Sequence, residues 1–237
     1  MACPECHRHS TLLAALAPAI ERTTPLTRQS LLPLLALKND EQLRHAAKTA
    51  NPRKLPHRAE PPPATNNAPQ ATCRHDHAYP LALAQLDSAP AVLHTTCDTD
   101  RLTQLLAGPT VALIGDRHHT GYGHQATFAL ACDLATAGVT LISGLHQGLD
   151  GIAHHGALHA GGHTIAVTGS APEIPYPRQL EHLHRRIATC GAIVSELPVD
   201  FASRRWIGRV HWEDQGWPLD LCVLPGFYLA RPSGSRP

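Results

Sequence analysis

Thr110-Val-Ala-Leu-Ile-Gly-Asp-Arg-His-His-Thr-Gly-Tyr-Gly123 and Val139-Thr-Leu-Ile-Ser-Gly-Leu-His-Gln-Gly-Leu-Asp-Gly-Ile-Ala-His-His-Gly-Ala-Leu158 repeat one pattern: an apolar run, a glycine-containing turn, then a helix-like stretch. Residues 111–114 are short and apolar, as in a buried parallel strand. Gly115 lets the chain turn sharply at the strand's end. Thr120 is placed to cap a helix over 121–137. In the second block residues 139–142 read as the strand, Ser143, Gly144 and Gly148 as the loop, and Asp150 as the cap of a helix running to Ala160. Either loop alone would be an ordinary tight turn. Two in succession put both loops on the same edge of a parallel sheet, so the expected class is α/β, with helices on both faces.

Outward from these blocks, residues 163–167 and 192–195 read as a third and a fourth strand, giving four βα-type units over 109–206. Residues 73–108 lead into the sheet. Residues 1–50 are rich in Leu and Ala and read as a small helical segment, with Asn39 and Gln42 at capping-box spacing. Residues 51–72 carry Pro52, Pro56, Pro61, Pro62, Pro63 and Pro69 and read as a linker. The α/β domain is then 73–226, and 227–237 a disordered tail.

Charge narrows the function. Formal net charge is +1 over 237 residues, so no global basic field exists. Residues 101–237 hold ten Arg, no Lys and ten acidic residues. Any polyanion must therefore be met by a local cluster. Arg117 sits in the first turn, ahead of a helix N-terminus whose unpaired N–H groups attract anions. The 18 histidines would strengthen anion binding as pH falls if several stood near phosphate. Seven cysteines in no compact disulfide spacing, no clean leader and no run of membrane-spanning length imply a cytoplasmic chain with reduced thiols and no membrane partner. Cys3-x-x-Cys6 could bind zinc together with Cys73, His75 or His77. No second Cys-x-x-Cys follows, so the expectation is no metal, with Cys3, Cys6, Cys73 and His75 as the weak candidates, and no cofactor.

Further motifs carry a resemblance. Ser143-Gly-Leu-x-x-Gly-Leu-Asp150, Ala153-His154-x-Gly156-Ala157-Leu158, Gly162-x-Thr164-Ile-Ala-Val167, Tyr176-Pro177 and Ser195-Glu196-x-Pro198 occur in that order. Upstream stand Cys73-x-His75-Asp76-x-x-Tyr79-Pro80 and Ala89-Pro-Ala-Val-Leu93. Over roughly 70–206 the chain resembles the DprA/Smf family of DNA-processing proteins; Leu34-Leu-Ala-Leu and Asp40-Glu41 resemble its amino-terminal segment more weakly. The resemblance implies a Rossmann-like domain that binds single-stranded DNA and delivers it to the RecA recombinase during DNA uptake, without catalysis. It implies phosphate contacts from Gly115, Arg117, Ser143, Gly144, Gln147, Arg178, Arg204 and Arg205. It also implies a homodimer formed through the carboxy-terminal part of the domain. An enzymatic Ser143/His154/Asp150 reading lacks a Gly-x-Ser-x-Gly elbow. The Pro-Gly-Gly-x-Gly-Thr motif of nucleotide-cleaving relatives is missing at Gly161-Gly162. The rival readings are a nucleotide sensor or nucleotide-processing enzyme on the same fold, or a decayed copy.

Departures from the family pattern are specific. The first turn reads Gly115-Asp116-Arg117 where the family has Gly-Ser-Arg or Gly-Thr-Arg, and Asp116 lowers the local positive potential. Arg178 keeps the charge that follows Tyr-Pro, while Leu180 replaces a nearby Asn. After Arg204-Arg205-Trp206 the family's Phe-Pro-x-Arg-Asn-Arg segment is not legible, although Cys222-Val-Leu-Pro-Gly226 resembles a later strand end. An internal loss between Trp206 and Leu221 and a change of frame both explain this. Either would weaken the dimer and expose apolar surface beside the fourth strand.

Overall fold

The computed structural model describes residues 2–10, 12, 70–85 and 89–197. The expectations for the helical segment and linker between 13 and 69, for Arg204 and Arg205, and for the chain after Trp206 lie outside these residues. Among the described residues no helix is long and apolar enough to cross a membrane. The described residues cluster into two compact units. One unit takes in the described residues up to Thr99, Gly169–Ile174 and 195–197; the other takes in Asp100–Thr168 and Pro175–Val194.

The first unit begins with helix α1, residues 4–10. Strand β1, Gln70–Cys73, pairs antiparallel with β2, Val92–Thr95, in the register Gln70↔Thr95 to Cys73↔Val92. Between them lies the short helix α2, Leu81–Ala84. The sequence reading has neither strand. β1 begins inside the stretch read as linker, and β2, whose four residues are all buried, carries no alternation to mark it. Cys6, Cys73 and Val92 form the small core. The Tyr79 hydroxyl donates to the Pro90 carbonyl at 2.8 Å. His94 is buried against Ser10, Nε2 to Oγ 2.8 Å, and burial lowers its pKa to about 3.

Helix α3, Thr99–Ala107, leads into the second unit, which holds the parallel strands. They are β3, Thr110–Ala112; β4, Thr140–Gly144; β5, Thr164–Val167; and β6, Ala192–Ser195. Their order is β6-β5-β4-β3. The connections carry α4, Gly121–Thr136, α5, Leu149–His159, and a 3-10 turn, Arg178–Leu180, that leads into α6, Glu181–Cys190. The first two strands shift by one or two residues from the sequence reading; the fourth is as read. Thr120 caps α4 as expected, its hydroxyl accepting from Gly123 N at 3.1 Å. Helices α4 and α5 end at Gly138 and Gly161, at φ +78° and +73°, where a glycine stops the helix in the left-handed region.

Register places Leu141, Ala166 and Ile193 on one sheet face. Leu141 packs with Ala131 and Ala135 of α4 and Ala153 and Ala157 of α5. Ala166 and Ile193 pack with Leu183 and Ile187 of α6. Ile142 and Ile165, on the opposite face, are buried as deeply. Each such aliphatic side chain contributes about 1.5–3 kcal/mol. Helices α4 and α5 touch through small residues. A Cβ on Gly156 would lie 2.7 Å from Ala131 Cβ and 2.8 Å from the Phe128 carbonyl, so a larger residue there would push the helices apart.

Candidate functional site

Because β3 to β6 are parallel, the turns that follow them share the carboxyl edge of the sheet, where α/β folds bind ligands. The turn after β3 exposes Asp116, Arg117, His118 and His119. Tyr122, in the first turn of α4, is 77% exposed. The turn after β4 exposes Gln147. Arg178 is exposed at the start of the 3-10 turn.

The first two turns form one body. Asp150 is completely buried. Its carboxylate accepts from Gly115 N at 3.2 Å and from His146 Nδ1 at 3.1 Å. The sequence reading of Asp150 as the helix cap is therefore corrected: the residue at the cap position is Gly148, and the carboxylate reaches across to the other turn. Leu149 N donates to the Asp116 carbonyl at 3.1 Å. Gly148 stands at φ +102°, and a Cβ there would lie 2.4 Å from the Asp116 carbonyl oxygen and 2.5 Å from Arg117 Cα. A Cβ on Gly115 would meet the Leu149 side chain at 2.5 Å. Both glycines are thus needed for the close approach of the two turns. Gly115 N–H already has the Asp150 carboxylate as its partner, so it supports the turn, and the outward-facing groups are those of Arg117 and beyond.

Other sequence candidates take supporting places. Ser143 is buried, and its hydroxyl donates to the Leu113 carbonyl, tying β4 to the end of β3. The Gly144 carbonyl accepts from His154 Nε2 at 2.8 Å, while His154 Nδ1 lies 2.7 Å from the Thr164 hydroxyl. Burial lowers the His154 pKa to about 4, so the ring is neutral and its proton sits on Nε2, which donates to the Gly144 carbonyl. Ser143, His154 and Asp150 thus each bond elsewhere and make no relay with one another. Tyr122, His118 and His119 are exposed groups that the sequence reading does not single out; the signal for Tyr122 is an aromatic ring five residues after Arg117.

In the first unit, the weak metal candidates meet. Cys3, Cys6, Cys73 and His75 bring their ligand atoms within 4.8 Å of one another. His77 does not join them; it is almost fully exposed, beside Asp76.

The family model described as DNA recombination-mediator protein A matches residues 70–207. Protein Smf of Synechocystis sp. is 36% identical over 131 residues, 55% of this chain and 33% of that protein. The DNA processing protein DprA of Bacillus subtilis is 31% identical over 128 residues, 54% and 42% of the two chains. Protein Smf of Escherichia coli is 41% identical over 95 residues, 38% and 24%. The chain therefore spans less than half the length of the curated relatives it matches. DprA from Streptococcus pneumoniae has a similar structure, at TM-score 0.54 and 21% identity over 83% of this chain and 68% of that one, a likeness of fold. The matched segment contains both fastened turns and the strands that present them, and the chain accordingly belongs to the DNA recombination-mediator protein A family, that of the DprA and Smf proteins.

Proposed function

We propose that this chain binds single-stranded DNA along the carboxyl edge of its parallel strands, without catalysis, and passes it to the RecA recombinase in DNA uptake or recombination. The observation that carries this reading is the pair of turns locked by Asp150 and Gly148, which presents Arg117, His118, His119, Gln147 and Tyr122 outward from one rigid support. A guanidinium fork suits a backbone phosphate, and the N–H groups at the start of α4 add a fixed partial positive charge. An exposed tyrosine offers a face to a base of any identity, which suits sequence-tolerant single-strand binding. Arg178 extends the positive edge. Arg204 and Arg205 belong to the same proposal on sequence grounds, as does a homodimer through the carboxy-terminal part. Relatives named for DNA processing, and a family named for mediating recombination, support the same reading.

The test is a competition. Labelled single-stranded oligonucleotide is titrated by fluorescence anisotropy, then challenged with unlabelled single strand, duplex and free nucleotides. Displacement by single strand, with free nucleotides ineffective at equal phosphate concentration, supports the proposal. Efficient displacement by a mononucleotide would instead favour a nucleotide sensor on this fold. Retention of RecA on the immobilised chain, with and without oligonucleotide, tests the hand-over.

A further inference from the structure

We propose that Cys3, Cys6, Cys73 and His75 form a tetrahedral zinc site that fastens the amino-terminal helix to the end of β1. Cys3 and Cys6 flank the start of α1, spaced so that both thiols face one side. Cys73 ends β1 and His75 lies in the turn beyond it. The three sulfurs stand 3.7, 3.5 and 4.0 Å from His75 Nδ1. A tetrahedral zinc with bonds of about 2.3 Å to sulfur and about 2.0–2.1 Å to nitrogen spaces its ligand atoms roughly 3.5–3.8 Å apart. Hydrogen bonding does not account for the arrangement. Nδ1 has one lone pair or one proton, so it can bond to one sulfur and not to three. A central cation satisfies all three at once.

The surroundings fit a structural site. Cys6 and Cys73 are buried among Ala71, Ala91 and Val92, while Cys3 and His75 are more exposed and leave a route for the ion. Cys3 N–H points at Cys73 Sγ, 3.4 Å away, the kind of outer contact that stabilises a metal-bound thiolate. Three thiolates and one imidazole, with no position left open, select zinc and leave it no catalytic role. The ligands come from segments about seventy positions apart, so the ion closes a long loop and gains its stabilising effect from that closure.

Metal content of the full chain, purified untagged under reducing conditions, is the direct test. We expect one zinc per chain. Replacement by cobalt should give the thiolate charge-transfer and d–d bands of a tetrahedral ion. Cys73→Ser should lose stoichiometric metal. His75→Cys should keep it and shift the cobalt spectrum toward four sulfurs, which also shows that the site, and not general folding, is being read. Cys97→Ser, Cys132→Ser and His77→Ala should leave the content unchanged. Chelation should lower the Tm of the wild-type chain. A reduced wild-type chain that takes up no cobalt or zinc at equimolar ion would overturn the site, as would a Cys73→Ser chain with an unchanged cobalt spectrum. None of these readouts involves DNA, so the site stands or falls apart from the proposed function.

Discussion

Tyr122 shows how a single side chain can separate two kinds of binding energy. Its ring is 77% exposed on the helix that starts just past Arg117, an unusual position for an aromatic with no core to fill. If it stacks on a base, Tyr122→Ala should weaken single-strand binding by about 1–3 kcal/mol while leaving the salt dependence unchanged, because stacking releases no counterions. Anisotropy titrations at several salt concentrations read both quantities; a changed slope with unchanged affinity at low salt would assign the residue to the phosphates instead. At this scale the sequence is legible where chemistry announces itself, as with the fork of Arg117 in a glycine turn. It is silent on Ser143, whose hydroxyl looks equally available in the sequence but is buried against the Leu113 carbonyl.

Among the elements, the two βα turns act as one because backbone meets backbone. Gly148→Ala would place a Cβ within 2.5 Å of the Asp116 carbonyl oxygen and of Arg117 Cα, at a φ of +102°. Strain of about 1–3 kcal/mol is expected from the dihedral alone, and relief of the clash must move the first turn. The expected outcome is a lower Tm together with weaker DNA binding, although residue 148 carries no charge. Differential scanning fluorimetry and anisotropy on the same preparation check this; a stable variant with full affinity would show that the turns need no mutual support. Strands and helices of this unit are legible in the sequence because periodicity and glycine punctuation are local signals, as with Thr120 before α4. The Asp150 bridge is not, because it joins residues 35 positions apart and Asp150 looks locally like a cap.

At the scale of the whole molecule, each unit buries a neutral histidine. His94 and His154 have pKa values lowered by burial to about 3 and about 4, below the ~6.5 of an exposed imidazole. As pH falls the unfolded chain takes up these protons first. The stabilisation is complete above pH ~6.5 and declines below it until the folded imidazoles themselves protonate. Between pH 7 and 5 each residue should account for about 2 kcal/mol of lost stability. Urea denaturation should show His154→Gln less stable than wild type at pH 7 but less sensitive to the drop to pH 5. Equal sensitivity would mean that His154 is not held neutral. The division into two units and the β1/β2 pair are the least legible features, since both depend on contacts between distant segments. The meeting of Cys3 and Cys6 with Cys73 and His75 is hidden for the same reason, with a proline-rich stretch lying between. Whether the strand-edge turns hold the phosphates of a single strand is decided by the salt dependence of oligonucleotide affinity in wild type and Arg117→Ala. The expected result is a several-fold to roughly hundredfold weaker complex and a log–log salt slope shallower by about 0.7 for each phosphate that is no longer neutralised. A folded Arg117→Ala chain with wild-type affinity and wild-type slope would contradict it.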